Sequence, residues 1–302
     1  MGRVMNDWDK HLEKTSRTFA LSIPLLEEPL RREVTVSYLL FRVADTLEDA
    51  AVWSPQRRSA ELQACAQVVH TWDTERAALL ASRWIELAPT QHAGYLALLE
   101  AFPSLLADAG RLRPASVQRI EHHLLRTIER MDTFVRGADA RGIVVLRSRQ
   151  ELEDYCYAVA GIVGELLTDL FLMHVPRLAD ASTVLGEHAR AFGEGLQLVN
   201  IARDAVDDRK EGRTFIPSDM SVEDVLELAH QDLDRATIYV DALRRHGAPS
   251  GMIAFVALPV ALARATLHRV SSDGAGAKLT RAEVALLMRQ VQEMSVFSSP
   301  VE

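Results

Sequence analysis

Several protein classes are excluded by what the chain has little of. Its 302 residues hold only two cysteines, Cys65 and Cys156. They lie far apart and outside any metal-ligand spacing, and this usage fits a reduced, intracellular compartment. Basic charge is in deficit, with 34 Lys and Arg against 42 Asp and Glu for a net charge of −8. That argues against nucleic-acid partners, which require a basic footprint. Long apolar runs are missing, and no segment approaches the ~20 apolar residues of a membrane span. The longest candidate, "GMIAFVALPVALARATLHRV" from Gly251, is interrupted by Pro259 and carries Arg264. It reads as a buried helix pair or a kinked core helix. The opening "MGRVMNDWDK" has no apolar run of the kind a signal peptide needs. Asn6 stands where a myristoylation signal wants Ser or Thr. No G-x-G-x-x-G loop occurs, which excludes a Rossmann dinucleotide unit. There is no internal repeat and no low-complexity linker.

What is present is helix. Hydrophobic residues make up 48% of the chain, enough for a sizeable core, and charged residues 25%. Stretches rich in Ala, Leu, Glu and Arg alternate with short breaks of turn chemistry. These breaks fall near Pro89, Pro114, Gly137, Gly212, Pro249 and Gly274. "GIVVLRS" from Gly142 predicts one short extended piece. The breaks are too short to separate domains, so the pattern predicts one all-α domain of about ten helices over 1–302. Residues 1–15 and 290–302 are expected to be peripheral.

Two acidic stripes stand out. Positions three and four apart share a helix face. In "SYLLFRVADTLEDA" that rule aligns Tyr38, Arg42, Asp45 and Asp49, with Val34 and Phe41 close to the same line. Thr35, Ser37, Thr46 and Glu48 flank the line, so a solvent-facing polar side is the alternative reading. In the second stripe Gly193, Gln197, Asn200, Asp204 and Asp208 align. Leu196, Ile201 and Ala205 shoulder it, and Leu198, Val199, Ala202 and Val206 are expected to cover the back. A polar line this narrow predicts the wall of a cavity in a helix bundle, where metal and ligand sites are built from facing helices. Carboxylates so spaced can share a hard divalent cation. Mg²⁺ (Mn²⁺ as the alternative) keeps several waters and is bound by one or two carboxylates plus substrate phosphates. A di-iron site wants Glu-x-x-His pairs, and "EHH" at Glu121 lacks that spacing.

"DTLED" (Asp45 to Asp49) with "NIARDAVDD" (Asn200 to Asp208) resembles the two aspartate-rich motifs of the squalene and phytoene synthases, the head-to-head prenyl diphosphate synthases. Further pieces fall in that family's order: "SRTF" from Ser16, "YCYAVAGIVG" from Tyr155, "EGRTFIP" from Glu211 and "FVALP" from Phe255. "DTLED" looks more like squalene synthase, and "AKLTRAEVALLM" from Ala277 resembles a basic segment associated there with NADPH use. The chain looks like a soluble bacterial-type form without a C-terminal membrane anchor.

The resemblance implies an isoprenoid-synthase helix bundle around a deep central pocket. Two farnesyl diphosphates would be condensed through presqualene diphosphate to squalene with Mg²⁺ and NADPH. It assigns the metal to Asp45, Asp49, Asp204 and Asp208, and the diphosphates to Arg17, Arg42, Arg203 and Arg213, since guanidinium binds phosphate oxygens in pairs. Ser16 and Tyr38 would line the substrate site, Phe19 and Phe255 would face a carbocation, and Gln197 and Asn200 would offer amide contacts. Tyr155 is the candidate for the proton abstraction at cyclopropane closure, with released diphosphate as the alternative base. Lys278 and Arg281, with Asn200, would take NADPH. Gly161 and Gly164 would either leave room for a prenyl chain or allow close helix packing. Alternatives are a non-reductive product (dehydrosqualene, phytoene or presqualene diphosphate), a terpene cyclase, and a pseudoenzyme assembly factor. The protein is expected in the cytoplasm, with peripheral contact to the inner face of the membrane for release of its lipid product.

Overall fold

The computed structural model describes residues 7–210 and 213–296. Glu211 and Gly212 of the "EGRTFIP" loop lie outside the described residues, as do 1–6 and 297–302 of the two expected peripheral ends. Among the described residues the chain is all-α, with fourteen α-helices rather than about ten. The short extended piece is present as a single parallel bridge between Val145 and Thr214.

The backbone divides into two compact units. The first runs to Gly142, apart from Leu25–Glu27, which belong with the second. It contains α1 (Asp7–Thr15), α2 (Thr18–Ser22), α3 (Leu30–Glu48), α4 (Pro55–Thr71), α5 (Thr74–Leu87), α6 (Ala93–Glu100), α7 (Phe102–Ala109) and α8 (Pro114–Arg136). Local chemistry sets these boundaries. Ser54 accepts the Arg57 N–H and Pro55 opens α4. Trp72 takes a left-handed conformation at φ 52° to end α4, and Asp73 caps α5 through the Arg76 N–H. Helix α3 is the core of the unit and packs against α1, α4, α6, α7 and α8. Its flanking polar residues are buried, which corrects the solvent-facing reading. The hydroxyls of Thr35, Ser37 and Thr46 donate to the carbonyls of Arg31, Glu33 and Arg42 at 2.7–2.8 Å. A hydroxyl bonded back to its own helix can be buried without an unmet polar cost.

The second unit contains α9 (Arg149–Cys156), α10 (Ile162–His174), α11 (Ser182–Lys210), α12 (Val222–Arg245), α13 (Ser250–Asp273) and α14 (Arg281–Val296). A π-turn at Tyr157–Gly161 joins α9 to α10. Helix α11 is central and packs against α10, α12, α13 and the π-turn. Glycines permit that approach: a Cβ on Gly164 would strike the Ala189 carbonyl, and one on Gly193 the Ala160 carbonyl. Close packing is therefore the role the fold shows for Gly164. Ser221 and Asp224 form a reciprocal cap at the start of α12. Helix α13 continues through Pro259 as one buried helix, not a pair. By length and composition Arg149–His174 and Ser250–Asp273 could each cross a membrane, which corrects the expectation that no segment approaches a span. Of their most apolar windows 56% and 67% is buried inside the fold, as in core helices.

Candidate functional site

The first aspartate stripe is the one accessible line on a buried helix. From Glu33 to Glu48 every residue of α3 is buried except Tyr38, Arg42 and Asp45, and Asp49 at the helix end is exposed. Arg42 is ion-paired with Asp45. It also donates to the Tyr38 phenol at 3.0 Å, and that phenol donates to the Thr15 carbonyl at 3.2 Å. The guanidinium carbon lies 5.5 Å from the Tyr38 ring centroid and 5.7 Å from that of Tyr95 on α6. Burial works against the charge of Arg42, but Asp45 and the two phenols outweigh it and hold its pKa above the ordinary value. Its Nε is buried with no hydrogen-bond partner. Phe19 packs on Tyr38 with ring centroids 5.2 Å apart. Ser16 accepts the Phe19 N–H at 2.9 Å, so its hydroxyl serves to start α2. Arg17 is exposed beside it.

The second stripe has the same character on α11. Leu198, Val199, Ile201 and Ala202 are buried. Gln197, Asp204 and Asp208 are half-buried and Asn200 is exposed. Val206 is exposed, contrary to its expected place on the covered back. Arg203 grips Asp204 with two bonds of 2.8 and 2.5 Å, and this pairing holds its pKa above the usual value against partial burial. Arg213 reaches Asp208 at 3.5 Å, and its N–H donates to the Asp208 carbonyl at 2.8 Å. The same loop carries Phe215, which stacks on the buried Tyr155 ring at 5.1 Å. The loop after α13 docks here too: the Gly276 N–H donates to the Arg203 carbonyl at 2.6 Å. Lys278 and Arg281 are exposed, and Arg281 is the first residue of α14, capped by Thr280 and Glu283. Phe255 is fully buried edge-on to Phe171, so it packs the core of the unit.

Each stripe thus pairs an arginine with a carboxylate on an accessible line of its helix. Among the described residues no three His, Cys, Asp or Glu side chains come together to hold a metal. A pair of carboxylates is a partial oxygen site, completed by water and by phosphate oxygens. That donor set fits Mg²⁺ and does not fit zinc or di-iron, which take fuller protein ligation.

Three features had little signal in the sequence. Tyr95 reaches Arg42 from a different helix. The π-turn sits inside an ordinary-looking helical run. Glu194 and Asp232 are buried acids in the second unit. Burial lifts the Glu194 carboxyl to about 7, with the Arg190 ion pair opposing and Asp232 adding to the lift. Their only trace is an acidic residue at an apolar helix position.

The squalene/phytoene synthase family profile matches residues 12–223. The squalene synthase of Bos taurus is 28% identical over 215 residues, covering 70% of this chain and 46% of that protein. The bifunctional lycopene cyclase/phytoene synthase of Arthroderma gypseum is 29% identical over 219 residues, 71% of this chain and 35% of that protein. The chain therefore spans less than half the length of these curated relatives. Among solved structures, TcSQS with the ligand E5700 superposes with a TM-score of 0.72 at 24% identity, over 96% of this chain and 89% of that one. The shared fold is that of squalene synthase structures.

Proposed function

Because the chain belongs to the squalene/phytoene synthase family, we propose that it condenses two farnesyl diphosphates head to head, through presqualene diphosphate, to squalene. The observation that carries this reading is the repeated pairing of arginine with aspartate on an accessible helix line, on α3 and again on α11. The reading treats residues 1–302 as one synthase domain acting in the cytoplasm.

Asp45, Asp49, Asp204 and Asp208 would hold Mg²⁺, which when bound draws charge off the diphosphate leaving group. Arg42, Arg203 and Arg213 are already oriented by those carboxylates, and their guanidinium groups would be the partners of the diphosphate oxygens. Tyr38 holds the Arg42 side chain through its phenol. Tyr155 is buried and stacked on Phe215; the proton lost at cyclopropane closure would go to the released diphosphate, or to Tyr155 if it has first given up its own proton as phenolate. The docked Gly276 loop supports the NADPH reading, because it seats the segment bearing Lys278 against the helix that carries Asn200. NADPH would supply the hydride, and Lys278 and Arg281 would take its phosphates. The matching phytoene synthase relative supports a second reading in which reduction is absent and the product is dehydrosqualene or phytoene.

The test is incubation with farnesyl diphosphate and Mg²⁺, with and without NADPH, followed by mass analysis of the lipid extract. Squalene is expected with NADPH and presqualene diphosphate without it. Dehydrosqualene or a cyclic terpene at saturating NADPH overturns the squalene product. Asp45→Asn and Asp204→Asn are expected to lose turnover while keeping the wild-type Tm. Full activity in either variant removes the metal assignment.

A further inference from the structure

Arg42 is unusual among the motif arginines. Its guanidinium lies near two aromatic rings, from Tyr38 on its own helix and Tyr95 on α6. Tyr95 is itself held in place. Its N–H donates to the His92 ring nitrogen at 3.3 Å, and the His92 ring lies 4.1 Å from its own, centroid to centroid. The preceding Gly94 lets α6 approach α1 closely, since a Cβ there would come within 2.8 Å of the Lys14 carbonyl. Meanwhile the buried Arg42 Nε has no acceptor. A planar cation with a tyrosine ring on each of two helices, a carboxylate at one end and an unspent donor is restrained in rotation and incomplete in hydrogen bonding.

We infer that Tyr95 is a positioning residue that fixes the Arg42 guanidinium so that the remaining N–H groups of its terminal nitrogens, on its accessible side, are presented to a diphosphate oxygen. This rests on the diphosphate reading of the α3 stripe and extends it to a helix outside the aspartate motifs. The ring face, not the phenol, carries the effect, since a cation is attracted to the aromatic quadrupole. Without that face Arg42 can turn fully onto Asp45, engaging both partners away from the ligand.

The test uses the full chain with Tyr95→Phe and Tyr95→Leu. Binding of inorganic pyrophosphate in Mg²⁺ is measured by calorimetry, and the exchange of the Arg42 Nε–H by ¹⁵N NMR. Tyr95→Phe is expected to stay within about twofold of wild type, and Tyr95→Leu to bind about tenfold more weakly, the scale of one partly desolvated cation–π contact. In turnover, Tyr95→Leu raises KM for farnesyl diphosphate more than it lowers kcat, and Tyr95→Phe restores KM. The Nε–H of Arg42 exchanges slowly in wild type and Tyr95→Phe, and fast in Tyr95→Leu. Unchanged exchange in a folded Tyr95→Leu protein overturns the inference, whatever the substrate. Wild-type protein that does not bind pyrophosphate overturns the diphosphate reading, while the exchange measurement still decides whether Tyr95 restrains Arg42.

Discussion

At the scale of single residues, the acidic groups divide by what surrounds them. Asp45, Asp204 and Asp208 keep water on one side and an arginine on the other. Glu194 is buried, and its carboxyl is lifted from the ordinary 4.5 to about 7 mainly by that burial. A carboxyl with a raised folded-state pKa favours folding below its unfolded value, and that contribution is lost as pH rises through the folded value. Glu194 therefore weakens the fold between pH 4.5 and 7 and costs its full amount above. Glu194→Gln is expected to stabilise the fold at pH 8, by on the order of 2 kcal/mol with a corresponding rise in Tm, and to leave Tm unchanged at pH 4.5. Thermal melts across that range check both limbs. The aspartates were legible because helical spacing is local. Glu194 was not, because its environment comes from Arg190, Asp232 and Glu153, and Asp232 sits on another helix. Tyr95 was hidden for the same reason.

At the scale of elements, breaks that use glycine or proline were legible, and those that use other chemistry were not. Pro114 opens α8, Pro249 precedes α13 and Gly274 ends it at φ 89°. The break between α4 and α5 is made by a left-handed Trp72 and a capping Asp73, and the one between α6 and α7 by Ala101. These silent breaks are why fourteen helices stand where fewer were expected. The glycines of the second unit give a paired prediction. Gly164→Ala forces a methyl into the Ala189 carbonyl and is expected to cost about 1–3 kcal/mol or more by overpacking. Gly186, on α11, has open space around it. Gly186→Ala should stabilise by about 0.5–1 kcal/mol through helix propensity. Urea midpoints at constant m-value measure both.

At the scale of the whole molecule, the proposed function has an acidic chain taking an acidic ligand, and that requires cations between them. Mg²⁺ and inorganic pyrophosphate added together are expected to raise Tm more than either alone, with a stabilisation of roughly 2.7 kcal/mol at a hundredfold excess over Kd. Chelation should reverse the shift and leave the far-ultraviolet circular dichroism intact, since the core is held by apolar burial. That core also carries the two helices apolar enough to cross a bilayer, and they fare differently during synthesis. Ser250–Asp273 leaves the ribosome when two of the three helices it packs on, α11 and α12, already exist, and only α14 is still to come. Arg149–His174 emerges before α11, which covers it and is complete only at Lys210. At about 5–20 residues per second, the nascent chain displays a membrane-like greasy segment for several seconds with nothing to shield it.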